Sequence, residues 1–361
     1  MEGESVLVRH GVARASLAHR GLVRLVAVVV AIAALAPRSA VGQSPNAPPA
    51  ALASLVDAFG SFSAHDLEEV ARGEIAVVTL HRTDKDEIAL MALVSVAVPR
   101  TFYATHAWDA DPERVAGVVH DPATAADFSG VSLTDNELKG LRKCRPLHCG
   151  IKLPASEMPL VARAAELSSR TAVDSVMHQL LADHVNDYRA RGDSALPRYD
   201  DTRAAERSAE GMARLIEASS PFTRDVPALA AYLGGSPRAS VPGVESAIHW
   251  TMDRPEGLAP IVSVVQRTTC VAADPRLPTL LIVKQLYATH YFDARLDVIA
   301  LAEGAGETPD TYALMVRRVR FDKLPSGGLF DVRGRVVRKL RGALRDELAR
   351  SKRHLEAAYR Q

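Results

Sequence analysis

The chain lacks the short spacings by which many chemistries are recognised. It has no G-x-S-x-G elbow, no H-E-x-x-H pair, no Walker-type glycine loop and no G-x-G-x-x-G after a strand. The serine-hydrolase, zinc-protease, nucleoside-triphosphate and dinucleotide classes therefore have no residues to rest on here. Cysteine occurs only three times in 361 residues, too few for a disulfide scaffold, and no C-x-x-C-H is present to attach a c-type haem. An excess of one charge is also missing. Residues 1–42 hold five Arg and two Glu, so the whole-chain balance of +1 becomes −2 for the 319 residues that follow. A near-neutral chain has no general electrostatic affinity for nucleic acid. Beyond residue 36 there is no second long apolar run, and no internal repeat.

What is present begins with the layout of a secretory signal. Arg9, Arg14, Arg20 and Arg24 precede the apolar stretch LVAVVVAIAALA (25–36), and Ala40, Val41 and Gly42 supply small residues before Gln43. The expectation is a signal peptide over 1–42 and an exported protein, periplasmic or extracellular. A dozen apolar residues fall short of the roughly 20 that span a bilayer, and no cysteine follows to carry a lipid. GQSPNAPPAA comes next, small, polar and proline-rich, so residues 43–65 read as a flexible lead-in. In an oxidising compartment Cys144 and Cys149, five positions apart around Pro146, are expected to close a small disulfide loop. A metal site joining both thiols to His148 would lack a fourth ligand and matches no zinc spacing. No metal and no cofactor is expected, and Cys270 reads as a small buried apolar residue.

From residue 66 onward a single domain is expected. DLEEVARG (66–73) reads as a short helix, and EIAVVTLH (74–81) with EIALMALVSVAVP (87–99) as a β-hairpin running into a helix after Pro99. Thr134 and Glu137 have capping-box spacing, which starts a helix there. A helical stretch follows to about 240. Its longest member carries Val173, Val176, Met177, Leu180, Leu181, His184, Val185 and Tyr188 on one face and stops at Gly192; His184 reads as a satisfied core histidine. Segments 245–252, 261–272, 279–301 and 311–321 then read as antiparallel strands, and a helix of roughly 25 residues closes the chain.

ALMALVSVAVPRTFYATHA, LYATHYFDARLDVIALAEG and the run from DTYALMVRRVRF to the final helix together resemble the START and polyketide-cyclase-like helix-grip superfamily. The resemblance covers about half of the chain after residue 42. It implies an α+β fold in which an antiparallel sheet grips a long C-terminal helix around an apolar cavity, here enlarged by a helical insertion at about 134–240. It also implies a hydrophobic small molecule, lipid foremost, as the partner.

Along 284–301 the even positions Leu286, Phe292 and Leu296 are apolar and the odd ones, including Tyr287, Tyr291, Asp293 and Asp297, are polar. Alternation of this kind describes a strand with one apolar and one wet face. His290 then stands alone among apolar side chains, and His290, Leu286, Phe292 and Leu296 form the expected ligand wall, with the histidine on the ligand's polar head. An ordinary core in which backbone or hydroxyl groups satisfy His290 is the competing reading. The carboxylates of HAWDADPE and HWTMDRPEG have no activated nucleophile beside them, and no catalytic residue is assigned. From 317 to 361, fourteen Lys or Arg stand against five Asp or Glu. Arg338, Arg341 and Arg345 on that helix are candidates for peripheral contact with anionic lipid, against a solvated face paired with acidic neighbours. The expected role is non-catalytic binding or carriage of a hydrophobic molecule. A cyclase- or hydrolase-type enzyme using the same cavity, or a cell-envelope interaction protein with a filled core, are the alternatives.

Overall fold

Segments rich in β-branched residues pair into one sheet, and the helical segments pack on both of its faces. The computed structural model describes residues 48–109, 115–201, 208–224, 226–235, 240–255, 257–306, 309–322, 324 and 332–361; the expected signal peptide and the first residues of the lead-in lie outside them. In chain order the elements are α1 (Ala50–Phe59), α2 (Ala64–Ala71), β1 (Ala76–Thr79), β2 (Glu87–Val96), α3 (Arg100–His106) and β3 (Val115–Val119). They continue with α4 (Asp135–Leu141), α5 (Met158–Glu166), α6 (Arg170–Arg191), α7 (Ser208–Ala218) and α8 (Pro227–Leu233). The last six are β4 (Val244–Asp253), β5 (Ile261–Cys270), β6 (Thr279–Ala288), β7 (Phe292–Glu303), β8 (Thr311–Phe321) and α9 (Val332–Tyr359). The strands form a fully antiparallel sheet in the order β1-β2-β8-β7-β6-β5-β4-β3. This α+β arrangement, with a 28-residue C-terminal helix against the sheet, is consistent with a helix-grip-like fold. Helices α4–α8 all fall between β3 and β4.

Local chemistry explains the boundaries. Ser63 and Asp66 cap α2 reciprocally, and Thr134 and Glu137 do the same for α4. Gly73 (φ +84°) follows α2, and Gly192 (φ +62°) follows α6, each adopting a left-handed backbone that costs glycine little. Side chains alternate across the pleat, so each strand feeds two cores. On one face Ile88, Leu90, Ala313 and Met315 pack with Tyr103 of α3 and Leu344, Leu348 and Leu355 of α9. On the other, Met91, Leu93, Leu296, Leu314 and Val316 pack with residues of α1, α6, α7 and α8. Among the described residues, no helix is long and apolar enough to cross a membrane.

Three differences from the sequence reading have physical causes. The lead-in is helical from Ala50 to Phe59 because Leu52, Leu55 and Val56 find a place in the core. The segment 279–301 is two strands, not one. β6 ends at Ala288 and β7 begins at Phe292, with Tyr291 (φ +63°) in the turn between them. The residues read as one wet face divide between two covered sides: Tyr287 and Asp293 meet the insertion, and Asp297, on the α9 side, is 1% exposed.

Cys144 and Cys149 are bonded across five positions, and Cys270 is free and buried. A loop this short constrains the unfolded chain little, so Cys144→Ser with Cys149→Ser should cost about 2 kcal/mol in urea unfolding. A loss twice as large would mean that the bond carries native packing as well.

Candidate functional site

On the α9 face, register aligns one side chain from each of four neighbouring strands. Arg267 of β5 pairs with Val283 of β6, Val283 with Asp297 of β7, and Asp297 with Arg317 of β8. Asp297 accepts two bonds from Arg317 at 3.0 and 2.9 Å and two from Arg295 at 3.0 and 2.6 Å. Arg317 in turn reaches Glu347 of α9 at 2.8 and 3.0 Å, tying the long helix to the sheet through paired, charge-assisted bonds. Burial pushes the Asp297 carboxyl up, but the Arg295 and Arg317 guanidiniums outweigh it and hold it below its ordinary range. Burial likewise lowers the Arg317 guanidinium, and Asp297 and Glu347 outweigh that, holding it above its ordinary value.

A cavity of about 120 Å³ lies over this network, walled by Tyr103, Trp108 and Leu348 and floored by Arg295, Asp297 and Met315. Burial pushes the Tyr103 hydroxyl up to about 12, so it stays a neutral donor. Beside the cavity runs an open groove of about 730 Å³ between α3, with Thr101 and Thr105, and strands β4 and β5, with Ser246, His249 and Thr269. Trp108 and Arg267 line both spaces, and the guanidinium sits 5.3 Å from the centre of the Trp108 ring. Burial first, and Arg267 second, press the His249 ring down to about 4. It is neutral near pH 7.

The residues expected to form the ligand wall lie elsewhere. His290 is in the β6–β7 turn, and its Nε2 is 2.8 Å from Glu137 Oε1 of α4. Burial raises the Glu137 carboxyl, but bonds from His290 and Thr134 outweigh it and hold it below its ordinary value. Leu286 and Leu296 are packed in the core on the insertion side, and Phe292 meets Phe321 edge-on. None of the four lines the cavity or the groove. Of the face read from alternation, Leu286 and Leu296 do share one side of the sheet, which the insertion fills. His184 Nε2 lies 2.7 Å from Glu157 Oε1, while its Nδ1 is buried without a hydrogen-bond partner, so the expected satisfied core histidine is satisfied at one ring nitrogen only.

The basic side of α9 is also engaged. Arg341 and Arg345 donate to the carbonyls of Val77 in β1 and of Ile75 just before it, at 2.6 and 3.2 Å, and Arg333 donates to those of Lys85 and Glu87. Arg338 has a partner of its own as well. The expected lipid-facing residues Arg341 and Arg345 instead satisfy an edge strand.

Trp108 and His249 lie in HAWDADPE and HWTMDRPEG, stretches that the sequence presents for their carboxylates and not as a shared site, and Arg267 has no signal at all, because the three come from distant segments and share no spacing. No family model matches the chain, and no curated protein does. Among solved structures, the di-domain ARO/CYC BexL from the BE-7585A biosynthetic pathway is similar over 78% of this chain and 76% of that one, at 12% identity and a TM-score of 0.23. A likeness that low carries no weight, so the strand order alone supports the architecture described above.

Proposed function

We propose that the chain is an exported protein that binds a small, largely hydrophobic molecule between α3, the sheet and α9, without transforming it. The observation that carries this reading is the meeting of a small cavity and a larger groove at Trp108 and Arg267. Ligand sites commonly occupy roughly 300–1,000 Å³. A cavity of about 120 Å³ accepts one end of a molecule, and the groove accepts its body. Trp108 offers a flat apolar surface, and the threonine and serine hydroxyls of the groove offer a few polar contacts. A lipid chain, the leading ligand class, would lie along the groove. Asp297 and Glu347 are held in bonds to arginine, which favours binding over acid–base chemistry at this place. The Cys144–Cys149 bond suits an oxidising compartment.

Extraction of the protein after gentle purification from its own host, with mass spectrometry of what co-purifies, tests the reading. Thr105→Trp is the paired variant, because Thr105 is exposed and its replacement fills the groove from α3. The variant should keep its stability within about 0.5 kcal/mol and lose the co-purifying molecule or bind an apolar fluorophore at least tenfold more weakly. Undiminished binding in the variant would move the ligand elsewhere. Empty extractions together with no fluorophore binding would end the proposal.

A further inference from the structure

A second group of ionisable side chains lies where the insertion meets the ends of β6, β7 and β8. Lys152, in the loop between α4 and α5, is 2% exposed. Its ammonium is 2.9 Å from Asp293 Oδ1, bonds Asp322, and stands 4.3 Å from the centre of the Tyr199 ring. Asp201 adds a third carboxyl within electrostatic reach, and its Oδ1 is buried without a hydrogen-bond partner. Main-chain and hydroxyl bonds join the same surfaces. The Lys152 amide donates to the Thr289 carbonyl at 2.8 Å, the Asp322 amide donates to the Tyr291 carbonyl at 3.1 Å, and the Tyr287 hydroxyl donates to the Lys152 carbonyl at 2.8 Å.

One ammonium faces three carboxyls in this buried space, and Asp293 and Asp322 both bond its Nζ. One cation cannot balance three carboxylates crowded into a buried space, so the arrangement favours a proton on one of the two that meet at Nζ. We propose that the cluster is a proton-dependent clasp: a proton held by the pair Asp293 and Asp322 lets Lys152 fasten the insertion to the β6–β7 turn, and its loss loosens the junction.

The surroundings agree. Burial first, then the neighbouring Asp322 carboxyl, push Asp293 up to about 7 against the pull of Lys152, and burial raises Asp201 as well. The groups facing Asp293 are Lys152, Asp201 and Tyr199 from the insertion, Asp322 from the end of β8, and His290 from the turn with Glu137 of α4. Arg320, next along β8, is paired with Asp84. An aspartate whose folded pKa lies above its unfolded value favours the closed form at low pH, and that contribution is lost as pH rises through about 7. β7 carries Asp293 into the clasp and Arg295 and Asp297 into the cavity floor, so one strand links the two.

Amide hydrogen exchange of the full chain tests the clasp. Protection of the Lys152 and Asp322 amides, corrected for the intrinsic pH dependence of exchange, should be about tenfold lower at pH 8 than at pH 6, while amides of the β4–β5 pair keep theirs. In Asp293→Asn the side chain has no titrating proton, and the pH dependence should vanish. Equal protection at both pH values in the wild type overturns the clasp, as does a variant that retains the drop. Should the variant fail to fold, the ¹³C shift of the Asp293 carboxyl decides. A titration near 7 supports the clasp, and one in the ordinary range near 4 overturns it.

Discussion

Asp297→Ala is expected to lower the unfolding free energy by about 3–5 kcal/mol, because it leaves the buried Arg317 and the half-buried Arg295 guanidiniums facing each other without their shared carboxylate. Asp297 is 1% exposed, and both arginines point at it from neighbouring positions. Glu347 remains to neutralise Arg317, so Arg295 bears most of the loss. Urea unfolding at pH 7 measures it. The pH dependence has a definite sign: a carboxyl whose folded pKa is depressed stabilises the protein above its unfolded pKa, and the contribution is lost as pH falls through the folded value. The gap between wild type and variant should therefore narrow below pH 4. A gap that stays constant down to pH 2 would place the loss in packing and not in charge. Replacing Asp297, Arg295 and Arg317 together with apolar residues should cost less than the single change, because no charge is then left unpaired.

Lys152→Met should be about as damaging, but in a different pH window. At pH 8 it leaves Asp293, Asp322 and Asp201 in a buried space without their cation, for a loss of about 3–5 kcal/mol. At pH 5 Asp293, whose carboxyl is pushed up to about 7, is protonated, and the loss should fall by at least half. Burial lowers the Lys152 ammonium, while Asp293 and Asp322 outweigh it and hold it above its ordinary value. The lysine therefore stays charged across the whole comparison, and its contribution would fade only at pH values above the usual lysine range. Denaturant curves of both proteins at pH 5 and 8 give the answer. An equal loss at the two pH values would show that the effect does not come from carboxylates left without their cation.

Much of the architecture could be read from residue patterns because each pattern answers to local physics. The capping pair Thr134 and Glu137, the periodic face from Val173 to Tyr188 and the terminating Gly192 need no knowledge of the rest of the chain. The antiparallel strands after residue 244 were legible for the same reason. The turn at 289–291 was not, since it contains no Gly, Pro, Asn or Asp and its left-handed residue is Tyr291. Missing it placed His290 in mid-strand and made one wall out of two. Polarity misled in another way. Arg295 and Asp297 look like a solvated face in one dimension, and only the arrival of Arg317 and α9, from further along the chain, turns them into a buried network. The short β3 was missed because VAGVV carries a glycine and adjoins a carboxylate-rich stretch. The candidate site was the least legible part, as its walls come from α3, β5, β7 and α9 and meet only in the folded chain.

The arginines that α9 extends to β1 bear on association between copies. A strand at the margin of a sheet offers open carbonyls to any other extended chain, the contact from which fibrils and runaway assemblies grow. Here the carbonyls of Ile75 and Val77 already accept from guanidinium groups. An incoming strand would have to displace charge-assisted bonds and would bring its own amides against positive charge. The helix that grips the sheet from one face thus also closes its β1 margin against polymerisation.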